Sequence, residues 1–375
     1  MVVLGKESKL MKVIIAAAGT GGHINPGIAI ANEIKKHHRS AEITFIGTPR
    51  GLENDLVPRS GYKLKTIEAY GIKRKISLNN FKNACKTLRS YKTARKIIEE
   101  IKPDIIIGTG GYICGPALSS GIKLGIPTIL HESNAFPGIA VKILSKKVNA
   151  VLVGFEAAKK RLPNARRVVV TGTPTKINKI NLTVERKKVL KKQLSINNEL
   201  PIITVFGGSQ GAETINNCLT EIINKKLNTN YHIIWAVGQQ KYEETRNRVK
   251  TQYNATIVPY IYNMEEVLNL ADLVVARSGA MTITEVAKCG KPAIFIPYPY
   301  ATENHQEYNA RVLANRDAAK IILDKELNNK KLNDTINEIL NDKDKLKQMG
   351  KIAEQISIKN VEKKIYMEID KIINT

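Results

Sequence analysis

The sequence has few cysteines and no long apolar segment, and each shortage excludes a class of protein. Aromatic residues are also few, so aliphatic side chains are expected to fill the cores. The four cysteines, Cys85, Cys114, Cys218 and Cys289, form no C-x-x-C pair. Their scatter argues against a disulfide framework or a zinc site and predicts a reducing, cytosolic compartment. No apolar run reaches the roughly 18 residues that a transmembrane helix needs, and the amino terminus lacks a signal-peptide segment. The sequence therefore predicts neither a membrane span nor export.

Acidic residues are also in short supply, mainly in the first half of the chain. Residues 1–175 contain 29 Lys and Arg against 11 Asp and Glu, whereas residues 176–375 contain 30 against 23. A positive excess in one half predicts a surface that faces a polyanion, either nucleic acid or an anionic membrane. A general bias of composition towards lysine and asparagine is the alternative explanation.

Short apolar segments alternate with amphipathic, helix-like segments in two consecutive series. The first series has strand-like segments at 12–18, 42–47, 104–110, 127–132, 150–155 and 167–172. A polar, lysine-rich stretch between Pro174 and Pro201 separates it from a second series that begins with PIITVFGG. The pattern predicts an α/β protein with two Rossmann-like domains, whose parallel sheets face a cleft. A charged, helical stretch from residue 332 to the end is expected to pack back across the hinge.

Three glycine turns follow predicted strands, at 19–23 (GTGGH), 108–116 (GTGGYICGP) and 207–212 (GGSQGA). Glycine lets a ligand approach the backbone closely, and a following helix offers unpaired N–H groups to an anion. A nicotinamide site is disfavoured, because Ile24 occupies the place of the third small residue and FIGTPR has no ribose-binding acid. No G-x-x-x-x-G-K-[ST] phosphate loop is present. A dehydrogenase is therefore disfavoured. A single such turn could serve only to connect a strand to a helix, but three at strand ends favour a phosphorylated ligand.

A further cluster, ARSGAMTITEVAKCGKP at 276–292, is predicted to end a strand and begin a helix near Met281. A carboxylate such as Glu285 in this helix could accept both hydroxyls of a ribose while the helix amino terminus holds a pyrophosphate. The alternative is that Glu285 only complements the helix dipole. The spacing does not separate the two interpretations.

Six motifs occur in an order that resembles a known family: GTGGHINP, GTGGYICGP, HESNAFPG, GGSQGA, RSGAMTITE and HQEYNA. The stretch from about Val13 to about Ala319 is similar to the peptidoglycan glycosyltransferases that convert lipid I to lipid II. The resemblance implies a GT-B fold and inverting transfer of N-acetylglucosamine from UDP-GlcNAc to the C4 hydroxyl of the muramoyl sugar. It also implies an acceptor and membrane domain at 11–175, completed by a helix at about 352–375, and a UDP-sugar donor domain at 176–351. Met11 stands just before the first predicted strand, so residues 1–10 are expected to be an extension outside the fold.

The resemblance also implies which residues bind the donor. The set is Thr20, Gly21, Gly22, Asn134, Lys176, Ser209, Ile261, Ala280, Met281, Thr282, Glu285 and Gln306. Within it, Asn134 and Gln306 would bind sugar hydroxyls, and Ile261 would read the uracil through its backbone. The family stretch Gly-Asn-Pro-x-Arg is GTPTK here, so Lys176 keeps the charge without the planar guanidinium.

His23 is the first candidate for the catalytic base, because a histidine titrates near neutral pH and this turn is predicted to face the cleft. His131 and Glu132 are alternatives, for which a buried structural role is at least as good an interpretation. His23 could instead cap the following helix. Helix amino termini and backbone amides can stabilise the departing UDP. The single D-x-D triplet, Asp342–Asp344, reads as a solvated helix face. We therefore predict no bound metal and no other cofactor.

The segment from Lys73 to Lys96 contains nine basic residues and no acidic one. The predicted membrane and lipid-acceptor contacts are Ile76, Leu78, Phe81 and Lys82, with Ile76 and Leu78 in a loop before a helix. Basic residues beside apolar ones suit an anionic leaflet. The alternative is a helix whose apolar stripe faces the core. The prediction is a peripheral protein on the cytoplasmic face of the membrane, with lipid I as acceptor.

Three rival functions are less well supported. A UDP-N-acetylglucosamine 2-epimerase shares the predicted fold and donor but needs neither the basic half nor the HESN loop. Diacylglycerol glycosyltransferases are disfavoured by GGSQGA together with RSGAMTITE. A nucleic-acid-binding protein would need more stacking aromatics than Phe81 and Tyr91 in the basic segment, so no nucleic acid is expected as a partner.

Overall fold

The computed structural model describes residues 10–69, 78–208 and 210–374, without the side chains of 78–88. The chain divides into two compact units, Met1–Pro174 with Lys359–Thr375 and Thr175–Ile358. Each unit is an α/β layered structure built on its own parallel sheet. The predicted extension at 1–10 lies outside the described residues except for Leu10.

The first unit contains a seven-stranded sheet in the order β3-β2-β1-β4-β5-β6-β7, in which every neighbouring pair is parallel. Its strands are β1 Lys12–Ala17, β2 Glu42–Gly47, β3 Lys63–Thr66, β4 Ile105–Gly110, β5 Thr128–Glu132, β6 Ala150–Val153 and β7 Val168–Val170. Its helices are α1 Gly21–His37, α2 Glu53–Arg59, α3 Leu78–Ile101, α4 Cys114–Lys123, α5 Ile139–Leu144 and α6 Glu156–Lys159. The central strands β1 and β4 are mostly aliphatic and buried, as expected where helices cover both faces of a parallel sheet.

The second unit contains a six-stranded parallel sheet in the order β10-β9-β8-β11-β12-β13. Its strands are β8 Ile202–Phe206, β9 His232–Ala236, β10 Ala255–Val258, β11 Leu273–Ala276, β12 Ala293–Phe295 and β13 Ala319–Ile321. Its helices are α7 Val184–Gln193, α8 Glu213–Asn224, α9 Tyr242–Arg248, α10 Met264–Leu270, α11 Ala280–Lys288, α12 His305–Ala314, α13 Asn329–Leu340 and α14 Lys343–Ile356. Its core is aliphatic around the buried Trp235 and Tyr231.

The chain then returns to the first unit as α15, Val361–Ile373. Tyr366 of α15 stacks on His37 at the end of α1, with ring centroids 3.8 Å apart, and its hydroxyl lies 2.9 Å from His38 Nε2. The carboxyl-terminal helix therefore packs against the helix that follows the first glycine turn.

Both sheets have the strand order of a Rossmann fold, with a topological switch point between β1 and β4 in one and between β8 and β11 in the other. The predicted fold class, two Rossmann-like α/β domains, is confirmed. Ligands of such sheets bind outside the carboxyl ends of the strands at the switch point. All three glycine turns lie at such ends, after β1, β4 and β8.

Two local predictions are incomplete or wrong. The short edge strands β3 and β13 are not predicted from the sequence. Leu78 begins α3 and does not lie in a loop before it.

Candidate active site

The first glycine turn connects β1 to α1 through a left-handed backbone at Gly19, with φ of +95°. Thr20 caps α1 with extended backbone and no capping hydrogen bond from its side chain, and the first turn of the helix has no acidic residue. Gly21, Gly22 and His23 form that first turn. A helix amino terminus that has no side-chain cap and no acidic residue in its first turn is a favourable place for an anion.

His23 lies under the second glycine turn, which leaves room for its ring. A Cβ atom added to Gly110 would lie 2.2 Å from His23 Cδ2, so a larger residue would displace the imidazole. His23 Nδ1 lies 3.0 Å from the carbonyl oxygen of Ala18. Because a carbonyl only accepts, Nδ1 carries the proton and Nε2 of the neutral ring carries the lone pair. This tautomer is the one that a general base acting through Nε2 needs.

Glu53, which no sequence motif indicates, is hydrogen-bonded to the first glycine turn. Its fully buried carboxylate accepts the Gly19 amide at 2.9 Å and the Thr48 amide and hydroxyl at 2.8 and 2.7 Å. Burial alone would raise the pKa of Glu53, but these hydrogen bonds lower it below its ordinary value. Glu53 is therefore an ionised anchor between the ends of β1 and β2.

The HESN loop after β5 is held by His131 and Glu132. Complete burial lowers the pKa of His131 to about 4, and its Nε2 lies 3.0 Å from the carbonyl oxygen of Gly172. Glu132 accepts the backbone and side-chain N–H groups of Asn134 and the amide of Gly138, while burial raises its pKa. Both residues are thus engaged in shaping the loop that contains Asn134, which supports the structural role for His131 and Glu132.

In the second unit, the third glycine turn packs against the turn after β9. A Cβ atom on Gly211 would lie 2.1 Å from the carbonyl oxygen of Val237, and one on Gly238 would lie 2.5 Å from the Gly211 amide nitrogen. These backbones can approach only because both residues are glycine with positive φ. Ser209, the predicted phosphate contact in this turn, lies outside the described residues.

Helix α11 begins at Ala280, one residue earlier than predicted, directly after β11. Gly279 caps it without a side chain, and no acidic residue lies in its first turn, which contains Ala280, Met281 and Thr282. The amides of this turn meet the same requirements for anion binding as those of α1. Glu285 lies one turn further along. Its carboxylate accepts the Thr175 hydroxyl at 3.0 Å, and burial raises its pKa to about 7.

Gln306 lies at the start of α12 with its side-chain amide fixed. Its Oε1 accepts the amides of Ser278 at 3.2 Å and Tyr298 at 3.0 Å. The oxygen is therefore directed at two backbone donors, and Nε2 is the group that can donate to a ligand. The preceding residues, Glu303 and Asn304, both have left-handed backbone, with φ of 53° and 54°.

Two further predicted donor contacts lie in the segments that follow β10 and β7. Ile261 is buried in the loop after β10. Lys176 is exposed beyond β7, and the Thr173 hydroxyl is buried without a hydrogen-bond partner in the described chain. Of the predicted catalytic and donor-binding residues, Thr20–His23 and Asn134 thus lie in the first unit, and the other described ones lie in the second.

The predicted membrane contacts are only partly described. Ile76 lies outside the described residues, and of Leu78, Phe81 and Lys82 only the helical backbone is described. A second apolar surface, missed by the sequence analysis, lies on α5, where Ile139 and Ile143 are 48% and 61% exposed. Lys142 covers the Phe136 ring at 4.1 Å. None of the described helices is both long and apolar enough to cross a membrane.

In the described part of the chain, no group of three or more His, Cys, Asp and Glu side chains is arranged to hold a metal ion. Asp342 of the D-x-D triplet caps α14 by accepting the Lys345 amide at 2.9 Å.

Comparisons with known proteins agree with the fold and with the order of the motifs. The glycosyltransferase family 28 N-terminal domain matches residues 13–153, and the corresponding C-terminal domain matches residues 202–365. A relative from Acetivibrio thermocellus is 43% identical over 359 residues, covering 95% of this chain and 96% of that protein. It is named UDP-N-acetylglucosamine–N-acetylmuramyl-(pentapeptide) pyrophosphoryl-undecaprenol N-acetylglucosamine transferase. A relative of the same name from a Thermoanaerobacter species is 43% identical, covering 96% of this chain and 100% of that protein.

Solved structures give the same result. The crystal structure of Acinetobacter baumannii MurG is 29% identical and covers 96% of this chain and 99% of that chain, with a TM-score of 0.77. A UDP-GlcNAc 2-epimerase from Neisseria meningitidis is 14% identical, with a TM-score of 0.64, covering 96% of this chain and 100% of that chain, which shows a shared fold only. The two domain matches and the near full-length relatives together show that the chain belongs to glycosyltransferase family 28.

Proposed function

We propose that this chain is an inverting N-acetylglucosaminyltransferase that moves GlcNAc from UDP-GlcNAc to the C4 hydroxyl of the muramoyl sugar of lipid I, forming lipid II for peptidoglycan. The observation that carries the proposal is the 43% identity, over nearly the whole chain, to transferases of that name. The 2-epimerase is the alternative, and its 14% identity supports the fold alone.

Each chemical task has a suitable group at a strand end. The first unit, as acceptor domain, would supply His23 Nε2 to take the proton from the C4 hydroxyl as its oxygen attacks C1 of GlcNAc. The bond from C1 to the UDP oxygen breaks on the opposite face, and its electron pair leaves with UDP. The amides of Ala280, Met281 and Thr282 would stabilise that charge.

The donor contacts are assigned by chemistry. Glu285 would accept the ribose hydroxyls, and Ile261 would pair with uracil through its backbone. Gln306 and Asn134 would bind sugar hydroxyls. The phosphates would contact Ser209, Lys176 and the turn of Thr20, Gly21 and Gly22. The second unit would therefore serve as donor domain.

The direct test measures UDP release from UDP-GlcNAc in metal-chelating buffer, with and without a lipid I analogue. Release that depends on the acceptor, with a β-1,4-linked disaccharide as product, is expected. Conversion of the donor to its manno epimer without acceptor would contradict the transferase and support the epimerase. Activity restored only by a divalent cation would overturn the expectation that no metal is required.

Gln306→Glu is predicted to lower kcat/KM for UDP-GlcNAc about 10- to 100-fold, while UDP binds within about twofold of wild type. The carboxylate can still accept the Ser278 and Tyr298 amides, but the Nε2 donor is lost. Steady-state kinetics and UDP titration calorimetry measure the two effects. The control is Gln252→Glu, the same exchange at an exposed residue ahead of β10. Equal losses in both variants would show that the added charge, and not the lost donor, is responsible.

We further propose that the protein acts peripherally on the cytoplasmic face of the membrane, bound to an anionic surface. The relatives' names specify a pyrophosphoryl-undecaprenol substrate, which is a lipid. The exposed Ile139 and Ile143, flanked by Lys142, Lys146 and Lys147, support the proposal because apolar groups among lysines suit the interface of an anionic leaflet.

The double exchange Ile139→Ser with Ile143→Ser is predicted to weaken binding to phosphatidylglycerol vesicles about tenfold. Activity on a water-soluble acceptor should stay unchanged. Vesicle cosedimentation measures the binding. The control is Val184→Ser with Val189→Ser on α7, whose valines are 63% and 44% exposed among lysines. If the α7 pair loses as much affinity, or the α5 pair loses none, the α5 surface is not the membrane contact.

A further inference from the structure

The crossover at the start of the second unit is tied to α10 by side-chain hydrogen bonds. Glu265 accepts the backbone and side-chain N–H groups of Asn178 at 2.8 and 3.1 Å. Asn269 accepts the Ile180 amide at 3.0 Å and donates to the Asn178 carbonyl at 2.8 Å. The backbone of 178–180 is thereby fixed on the unit that carries Glu285.

Thr175 begins this crossover and is 7% exposed. Its hydroxyl oxygen accepts the Ile177 amide at 3.2 Å and lies 3.0 Å from Glu285 Oε1. In the hydrogen bond with Ile177 the amide supplies the proton, so the single proton of the Thr175 hydroxyl can be donated elsewhere. The Thr175 proton is therefore directed at the carboxylate, across 110 residues of sequence.

Glu285 needs such support because its surroundings oppose the charge. Burial raises its pKa, and the Thr175 hydrogen bond and the nearby Lys288 lower it only in part. A carboxylate that is to accept two ribose hydroxyls must be ionised and correctly oriented. The hydrogen bond from Thr175 to Oε1 restricts the rotation of the carboxylate. Oε2 therefore points away from Thr175.

We infer that Thr175 is a positioning residue that orients and ionises Glu285 for the ribose of a nucleoside diphosphate. The inference rests on the proposed function and deepens it, because it makes the segment that begins the second unit part of the nucleotide site.

The test compares UDP with 2′,3′-dideoxy-UDP, which lacks the hydroxyls that Glu285 would accept. Thr175→Val keeps the shape and removes the hydroxyl, whereas Thr175→Ser keeps the hydroxyl. We expect Thr175→Val to weaken UDP binding about tenfold, to leave dideoxy-UDP binding unchanged, and to be rescued in Thr175→Ser. Glu285→Gln is the reference for loss of the carboxylate, and Thr175→Ala replaces Thr175→Val if that variant does not fold.

The outcomes separate the two proposals. If wild type binds UDP and Glu285→Gln weakens it, but Thr175→Val binds like wild type, the positioning role is overturned alone. Equal weakening for UDP and dideoxy-UDP in Thr175→Val would also overturn it, since a general structural defect does not discriminate between the ligands. If wild type binds no UDP, the donor site of the proposed function fails, and the inference fails with it.

Discussion

His23→Asn is expected to lower kcat for transfer to a lipid I analogue by about 10²- to 10⁴-fold, the usual contribution of a general base. UDP affinity should remain unchanged, because the predicted nucleotide contacts lie mainly in the second unit. Asparagine can still donate Nδ2–H towards the Ala18 carbonyl that now faces His23 Nδ1. It has no group equivalent to Nε2, so the exchange removes the base with little disturbance of the turn.

The control for His23→Asn is His37→Asn, the same exchange at the other end of α1, where the ring stacks on Tyr366. Its kcat should stay within about twofold of wild type, the range expected away from the chemistry. Single-turnover measurements with bound donor separate chemistry from binding. A wild-type kcat in His23→Asn would show that His23 is not the base. The base would then be another group at the ends of β1 and β4.

The strands that the sequence predicts well are those with uninterrupted aliphatic runs. KVIIAA of β1 is almost wholly buried, as a central parallel strand requires. The strand β3, KLKT, is partly exposed at the edge of its sheet, and lysines alternate with its apolar residue. Such a segment has neither the length nor the composition of a central strand, so only its pairing with β2 identifies it.

The site residues also differ in how well the sequence predicts them: those in local motifs are predicted, and those that depend on distant partners are not. Glycine turns can be recognised in the sequence, because the unusual backbone conformation of such a turn requires glycine at those positions. Glu53 is 34 residues from the Gly19 amide that it accepts, and Thr175 is 110 residues from Glu285. No local pattern encodes either pair. His131 is the opposite case: the sequence leaves a catalytic and a buried structural role open, and its complete burial, which lowers its pKa to about 4, supports the structural role.

Glu53→Gln is expected to destabilise the first unit by about 3 kcal/mol at pH 7. The exchange removes the charge and one acceptor, and it turns an NH₂ group towards the N–H and O–H groups of Gly19 and Thr48. A Cβ atom on Gly51 would lie 1.9 Å from Glu53 Oε2, so the surroundings leave the side chain little space to rotate away. Urea unfolding followed by circular dichroism measures the loss.

The pH dependence gives Glu53→Gln a second signature. The folded-state pKa of Glu53 lies below its ordinary value of 4.5, so the ionised carboxylate stabilises the fold above pH 4.5. That stabilisation is lost as the pH falls through the folded-state pKa, and the stability difference between wild type and Glu53→Gln should therefore shrink in acid.

Glu42→Gln, at the exposed start of β2, should cost less than about 0.5 kcal/mol at any pH. A loss for Glu53→Gln no larger than that of Glu42→Gln would show that Gly19 is held by the fold without the carboxylate. A large loss, together with impaired transfer in the folded fraction, would show that the buried charge keeps the glycine turn in place for His23.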